Sequence, residues 1–254
     1  MPAVSEDVFV ERVCQTCRAV FTTRLLRFPL SGISPLACDV CENCKTDKGK
    51  AEGVRLSAQA EAEVAEIEAR ATEAARAFWP KVCPPLYRAT EAGRLPQDAL
   101  ADVLAWQYGP QGLLLMGPTG TGKTRAAFLL LKRLVLEDLR IVRAFDGLGF
   151  DHECVRHFRS DGGGEDWADA LAKVDVVFLD DLGKGCFTPR VEAELFGLIE
   201  RRAANCLPTI ATTNMTGRDL AGKVSADRGA PMVRRLREFC KCITFSGLAT
   251  GEPA

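Results

Sequence analysis

The sequence predicts an α/β fold in which helices cover both faces of a parallel β-sheet. Short apolar runs alternate with helical segments between residues 84 and 247. Continuous apolar runs are typical of strands buried on both faces, and their alternation with helices is typical of parallel sheets. In addition, five cysteines lie in two close groups within the first 48 residues. These groups predict a small metal-stabilised module ahead of the sheet domain.

The order of elements follows from the same runs. Residues 1–48 form the predicted cysteine module. Residues 49–83 form a helical linker, with a solvated connector or subunit-contact helix over 56–78 that Pro80 ends. Residues 248–254 form a tail, and the pattern indicates no C-terminal helical lid. Within the main domain, the patterns predict strands over 113–116, 140–145, 174–180, 209–213 and 240–246, and helices over 123–136, 166–172, 190–205 and 231–239.

Composition narrows the class of protein. The 254 residues are 47% hydrophobic and 26% charged, which is ordinary for a globular protein. No apolar run is long enough to span a membrane, and the N-terminus lacks the features of a secretory signal. We therefore expect a cytoplasmic protein. Its net charge of −1 excludes binding of nucleic acid through overall charge, so any such contact must use a local patch.

A phosphate-binding loop is the strongest motif. The stretch "GPTGTGKT" fits the pattern G-x-x-x-x-G-K-[ST] between a predicted strand and a predicted helix. Its glycines let backbone amides point inward at the positive end of the helix, which suits an anion. The alternative is a chance glycine-rich turn, which would not need a strand before it and a helix after it. The predicted nucleotide-binding residues are Gly117, Pro118, Thr119, Gly120, Thr121, Gly122, Lys123 and Thr124.

Polar residues at the ends of later strands complete the predicted site. Asp180 and Asp181 end the run "VDVVFLDD", and we expect Asp180 to hold Mg²⁺ beside Thr124 while Asp181 orients a water molecule. Asn214 ends "PTIATTN", where it could hold that water or contact the γ-phosphate. A solvated strand edge and a turn residue are the alternatives. Since carboxyl ends of parallel strands meet at one edge, the catalytic interpretation is favoured.

A run of arginines follows in "DRGAPMVRRLREFC", which contains Arg234, Arg235 and Arg237. Arginine neutralises charge on a transferring phosphoryl group, also across a subunit boundary. Such a run is ordinarily a solvated surface. Its position between Asn214 and the last predicted strand favours a role at the site.

Together these motifs resemble the AAA+ ATPases of the DnaC/IstB type, which comprise helicase loaders and transposition helpers. The resemblance covers residues 84–247 and lies in "GPTGTGKT", "FLDDLG", "EAELFGLIERR", "PTIATTN" and "MVRRLREF". It implies ATP and Mg²⁺ as cofactors, with Asp181, Asn214 and Arg235 as catalytic residues. Arg235 would act on the ATP of a neighbouring subunit, and Arg202 is a second residue for an intersubunit contact.

The resemblance also implies partners. These are DNA, with single strands favoured, a replicative helicase or a transposase, and further copies of the chain when ATP is bound. In this group the segment after the second strand contributes to single-strand binding. Here it contains Arg156, His157, Phe158 and Arg159, cations and aromatic rings that suit unpaired bases. A surface loop with Phe158 turned inward is an equal alternative.

The cysteine module predicts a zinc site. Cys14 and Cys17 form one closely spaced pair, and Cys38 and Cys41 form a second, which fits a zinc ribbon with four thiolates. Cys44 is an alternative fourth ligand, because Cys41 and Cys44 have the same spacing. Unliganded buried thiols are the competing interpretation. A segment with so few large apolar residues needs a metal to fold.

The leading hypothesis is an ATPase of the helicase-loader type whose ribbon recruits a partner. A transposition helper of the IstB type is a second reading within the same group. A nucleoside kinase with a zinc ribbon, or an adaptor with a vestigial nucleotide site, belongs to another class. A kinase would need a pocket for the acceptor nucleoside and would have no use for an intersubunit arginine. An adaptor is disfavoured because every position needed for hydrolysis carries a suitable residue.

Overall fold

The structure is a computed structural model that describes residues 8–25, 40–159, 163–185 and 188–247. The chain divides into two compact units, Met1–Ala71 and Thr72–Ala254. In the first unit, strands β1 (Val8–Val13) and β2 (Val20–Leu25) form an antiparallel pair. A 3₁₀ turn (Glu42–Lys45) follows, and then helix α1 (Asp47–Val82) begins. None of the described helices is long and apolar enough to cross a membrane.

Helix α1 is longer than the predicted 56–78 at both ends, and Pro80 lies inside its last turn. Proline removes one amide donor from a helix. Here the guanidinium of Arg88 donates to the carbonyl oxygens of Pro80 (2.7 Å) and Cys83 (2.8 Å). These bonds satisfy carbonyls at the helix end and stabilise a turn that proline would otherwise weaken. Trp79 and Val82 of this turn pack in the core of the second unit.

The second unit is built on a five-stranded parallel sheet in the order β4-β5-β6-β3-β7. This architecture confirms the predicted α/β fold. The strands are β3 (Gly112–Met116), β4 (Val142–Phe145), β5 (Val176–Leu179), β6 (Thr209–Thr213) and β7 (Cys240–Thr244). The helices are α2 (Pro85–Arg88), α3 (Gln97–Leu104), α4 (Lys123–Leu136), α5 (Gly147–Arg159), α6 (Gly163–Lys173), α7 (Pro189–Ala204), α8 (Gly217–Lys223) and α9 (Ala226–Phe239).

Alternate strand residues fill two cores, one on each face of the sheet. Leu113 and Phe178 pack with α3 and α4, whereas their neighbours Leu114 and Val177 pack with the helices α5 to α9 on the other face. Both faces are therefore buried, which explains why the strands are continuous apolar runs rather than alternating ones. The carboxyl ends of β3, β5 and β6 lie side by side, because β6 sits between the other two.

Two helices differ from the sequence-based expectation. Residues 147–159, expected as a DNA-binding segment or surface loop, form α5, because the buried Phe150 and Cys154 anchor one face of it in the core. Helix α9 begins at Ala226, ahead of the predicted start at Pro231. Buried Met232 in α9 packs into the same core, and this packing outweighs the amide that Pro231 lacks.

Candidate nucleotide and metal sites

The loop between β3 and α4 requires glycine at its turns. Gly117, Gly120 and Gly122 have φ angles of 145°, 79° and 87°, which L side chains rarely adopt. A Cβ at Gly117 would lie 2.2 Å from the carbonyl oxygen of Phe245. Gly122 precedes α4, so the amides of the loop precede the positive end of a helix of fourteen residues. This geometry suits the binding of a phosphate group.

Lys123 lies within the loop with only 6% of its surface exposed. Its Nζ donates to the carbonyl oxygens of Gly117 (2.8 Å) and Pro118 (2.7 Å). Burial lowers the pKa of the ammonium, while the carboxylates of Asp180 and Asp181 act in the opposite direction. The loop thus holds the lysine through its own carbonyls, in a place where a phosphate could take over those bonds.

Three oxygen-bearing side chains meet beside the loop. The hydroxyls of Thr124 and Thr212 both donate to Oδ1 of Asp180, at 2.7 Å and 2.6 Å. Burial raises the pKa of Asp180, and these two hydrogen bonds lower it in part. Carboxylate and hydroxyl oxygens are the ligands that Mg²⁺ prefers, so the donor set fits that ion. Thr212 was not among the residues predicted from the sequence.

The two remaining predicted residues lie at the same edge. Asp181 has a left-handed backbone (φ 52°), and Lys184 donates to its Oδ2 at 3.1 Å. Asn214, at the end of β6, donates from Nδ2 to the hydroxyl of Thr119 in the loop at 3.4 Å. The structure therefore brings the loop, both aspartates and Asn214 together. Lys184 is a further neighbour of the site that no motif indicated.

The arginines of α9 differ in their surroundings. Arg235 donates from Nε to Glu200 (2.5 Å) and from Nη1 to Glu238 (3.2 Å), and these partners raise its pKa. Arg234 and Arg237 are exposed and make no ion pair with any residue that the structure describes. Within a single chain, the predicted intersubunit arginine is thus already paired.

Arg202 is a structural residue, and the prediction of an intersubunit contact there is wrong. Its side chain is 0% exposed. The guanidinium donates five hydrogen bonds within the unit, and burial lowers its pKa to about 10. A group with every donor engaged inside the core cannot reach a neighbouring chain.

In α5, the residues predicted to contact DNA are partly occupied by contacts within the chain. The ring of His157 stacks on Trp167 with centroids 5.2 Å apart. The Phe158 ring is covered by the guanidinium of Arg190, 3.7 Å from its centroid. Arg156 is exposed and pairs with Glu153. The side chain of Arg159 lies outside the described residues. Of the predicted DNA-contacting residues whose side chains are described, Arg156 alone is exposed, so these residues offer a cation rather than an aromatic face.

Four cysteines meet in the first unit. The sulfur atoms of Cys14, Cys17, Cys41 and Cys44 all lie within 4.8 Å of one another. A tetrahedral zinc site with Zn–S bonds of ~2.3 Å places sulfurs ~3.8 Å apart, and Cys17 and Cys41 are separated by 3.8 Å. The cluster thus fits zinc, with Cys44 as the fourth member. Cys38, the preferred ligand in the sequence analysis, lies outside the described residues.

The electrostatics of the cluster also fit a cation. The backbone amide of Cys41 donates to Sγ of Cys14 at 3.4 Å and lowers the pKa of that thiol to about 6. Burial raises the pKa of Cys44 to about 12, and the neighbouring cysteines add to this shift. The thiol of Cys14 thus ionises readily, whereas that of Cys44 resists ionisation. A bound cation would neutralise the sulfurs and so favour the thiolate form of Cys44.

Comparisons with known proteins concern the fold. No protein-family profile matches the chain, and no curated protein matches its sequence significantly. A replication initiator DnaA bound to AMPPCP and single-stranded DNA is similar in structure, with a TM-score of 0.51 and 18% identity over 63% of this chain and 48% of that one. A primosome component from Streptococcus pyogenes is also similar in structure, with a TM-score of 0.50 and 21% identity over 66% of this chain and 92% of that one.

Domain III of the Thermotoga maritima initiator DnaA gives a TM-score of 0.50 and 18% identity, over 60% of this chain and 61% of that one. The matched region spans only about half of the DnaA initiator bound to DNA. At these identities the likeness concerns the fold alone. The second unit thus shares its fold with these replication proteins, in agreement with the α/β fold predicted from the sequence.

Proposed function

We propose that the protein binds and hydrolyses ATP and acts in DNA replication as a helicase loader. The observation that carries this proposal is the meeting of Thr124 and Asp180 beside Lys123 in an AAA+ fold. An anion cradle next to hard oxygen ligands is what a magnesium–triphosphate complex requires. Hydrolysis is expected to be slow without DNA or a partner.

Each residue has a role that its position supports. Lys123 would exchange its loop carbonyls for the β- and γ-phosphates. Thr124 and Asp180 would hold Mg²⁺, which neutralises charge on the phosphate oxygens. Asp181, next in the chain, would orient the attacking water. Asn214, beside Thr119 of the loop, would contact the γ-phosphate or that water.

We further propose that ATP-bound chains assemble, so that Arg235 contacts the nucleotide of a neighbour. In a single chain Arg235 is paired with Glu200 and Glu238. Assembly must therefore break both pairs, which are partly exposed and individually weak. Substitution of Arg235 should abolish the rise of specific ATPase activity with protein concentration.

The first unit would bind zinc through Cys14, Cys17, Cys41 and Cys44, and would dock a replicative helicase. The proximity of the four sulfurs supports this ligand set. The second unit would contact single-stranded DNA through exposed cations such as Arg156. A transposition helper would use the same nucleotide site but a transposase as its partner.

The first experiment tests nucleotide chemistry. Fluorescent ATP binding and phosphate release are measured with and without single-stranded DNA, for wild type, Lys123→Ala and Lys132→Ala. Lys132 is an exposed lysine on the same helix, so its substitution controls for the loss of charge on α4. We expect only Lys123→Ala to lose binding. Phosphorylation of added nucleosides without stimulation by DNA would instead favour a nucleoside kinase.

The second experiment tests the partner. Purified replicative helicase is mixed with the wild type or with Lys123→Ala, in ATP and in ADP, and complexes are separated by size. A complex that forms in ATP with the wild type alone would support the loader role. A transposase that binds under the same conditions, with no helicase complex, would favour the transposition helper.

A further inference from the structure

Thr212 joins the two acidic residues of the candidate site through one hydroxyl group. Its Oγ1 donates to Oδ1 of Asp180 at 2.6 Å and accepts from the backbone amide of Asp181 at 2.8 Å. Thr212 is 0% exposed and is the residue before the last in strand β6. The single hydroxyl thus contacts the proposed metal ligand and the backbone of the proposed water-orienting residue.

These two hydrogen bonds restrain the side chain of Asp180 and the backbone of Asp181. Asp180 is largely buried, and its Oδ1 accepts from two hydroxyls, of Thr124 and Thr212, so the carboxylate has a fixed rotamer. Asp181 has a φ of 52°, a conformation that aspartate adopts at some energetic cost. The bond from its amide to Thr212 holds that conformation and so sets the direction of its side chain.

The neighbouring Thr213 shows that this arrangement is specific. It is also buried, but its hydroxyl donates to the carbonyl of Leu182 (2.8 Å) and accepts from the amide of Met215 (3.1 Å). Both contacts of Thr213 are to backbone, which is the usual use of a buried threonine. Thr212 alone of the two contacts an acidic side chain of the site.

We propose that Thr212 is a positioning residue, which orients Asp180 toward Mg²⁺ and fixes the backbone of Asp181. This inference rests on the proposed ATPase function and deepens it. Partners that hold a metal ligand in place affect metal affinity by about 10- to 100-fold. The same range is expected here, because the hydroxyl contacts the carboxylate directly.

The test compares Thr212→Val, Thr212→Ser and Thr213→Val. Valine keeps the shape of threonine without the hydroxyl, and serine keeps the hydroxyl. The first readout is the Mg²⁺ concentration that gives half-maximal enhancement of fluorescent ATP binding. The second is ATP binding in EDTA, and the third is the split between kcat and KM for hydrolysis. Thermal unfolding controls for folding in every variant.

We expect Thr212→Val to raise the required Mg²⁺ concentration ~10-fold or more, to leave binding in EDTA unchanged, and to lower kcat more than it raises KM. Serine should restore the wild-type values, and Thr213→Val should show no change in the Mg²⁺ requirement. An equal shift in Thr212→Val and Thr213→Val, or no shift in either, would overturn the inference. If valine prevents folding, Thr212→Ala carries the same test.

Failure of the proposed function gives a different result. In that case the wild type itself shows no Mg²⁺-dependent ATP binding, and the comparison of variants has no signal. A wild type that binds with Mg²⁺, together with a Thr212→Val variant that binds equally well, refutes only the role of Thr212.

Discussion

Replacing Arg202 with alanine removes a guanidinium whose donors are all used inside the second unit. It donates to the hydroxyl of Thr209 and to four backbone carbonyls, at distances of 2.6 to 3.3 Å. The four carbonyls are those of Leu171, Val174, Asp175 and Pro208. Three of these carbonyls lie at the end of α6 and in the connection to β5, and the fourth lies in the connection before β6, so this side chain of α7 links stretches that are distant in sequence.

The expected loss of stability follows from these contacts. Each buried carbonyl left without a donor costs about 1–3 kcal/mol, and water entering the space recovers part of this loss. Losing a buried hydrogen-bond network is one of the few mechanisms that bring the loss of stability to about 4 kcal/mol, and we expect a loss of that size. A domain of this size has a total stability of about 5–15 kcal/mol. The midpoint of thermal unfolding should therefore fall by roughly 8–16 °C.

The assay is urea unfolding followed by tryptophan fluorescence. All three tryptophans of the chain, Trp79, Trp106 and Trp167, lie in the second unit, so the signal reports on that unit alone. Arg201→Ala is the matched control, because Arg201 is 40% exposed and should change stability by less than about 0.5 kcal/mol. A stable Arg202→Ala variant that fails only in ATP-dependent assembly would refute the structural role.

Three further predictions concern the sites. Burial raises the pKa of Asp180, so protonation of Asp180 stabilises the fold at low pH, and this stabilisation is lost as pH rises through the folded pKa. At pH 7 without Mg²⁺, Asp180→Asn should therefore raise the melting temperature. A lower melting temperature would contradict this reasoning. Cys44→Ser should reduce zinc per chain in a colorimetric assay, whereas Cys38→Ser should not. Arg235→Ala should remove the concentration dependence of ATPase activity, and Arg234→Ala should keep it.

The parts of the fold that short-range patterns determine could be predicted from the sequence. The phosphate loop has residues fixed by backbone geometry, as the contact of Gly117 with Phe245 shows, and helix α4 begins where the motif places it. Strand β6 has its predicted bounds because its β-branched residues favour a strand and Asn214, which follows them, disfavours one. Asp180 and Asn214 could be placed at one edge because parallel strands end there together.

The remaining features depend on contacts between distant segments. An arginine after "LIER" looks like any charge at the end of a surface helix, and only the fold shows that Arg202 is surrounded by four carbonyls from two separate stretches of chain. Thr212 is one of several β-branched residues in its run, so its pattern indicates a strand and not a contact with Asp180. Helix α5 begins with glycines at 147 and 149, which disfavour a helix locally, and burial of Phe150 outweighs them.

The hydrogen bonds of the nucleotide site fall into two groups with different consequences. Those from Thr124 and Thr212 to Asp180 can persist when a metal binds, because the carboxylate retains another oxygen. Those from Lys123 to the carbonyls of Gly117 and Pro118 must be replaced by bonds to phosphate, which is a stronger acceptor. Rearrangement on binding is thus concentrated in the loop, while the acidic side is already ordered. Substitutions in the loop should therefore change nucleotide affinity, and those around Asp180 should change metal dependence and rate.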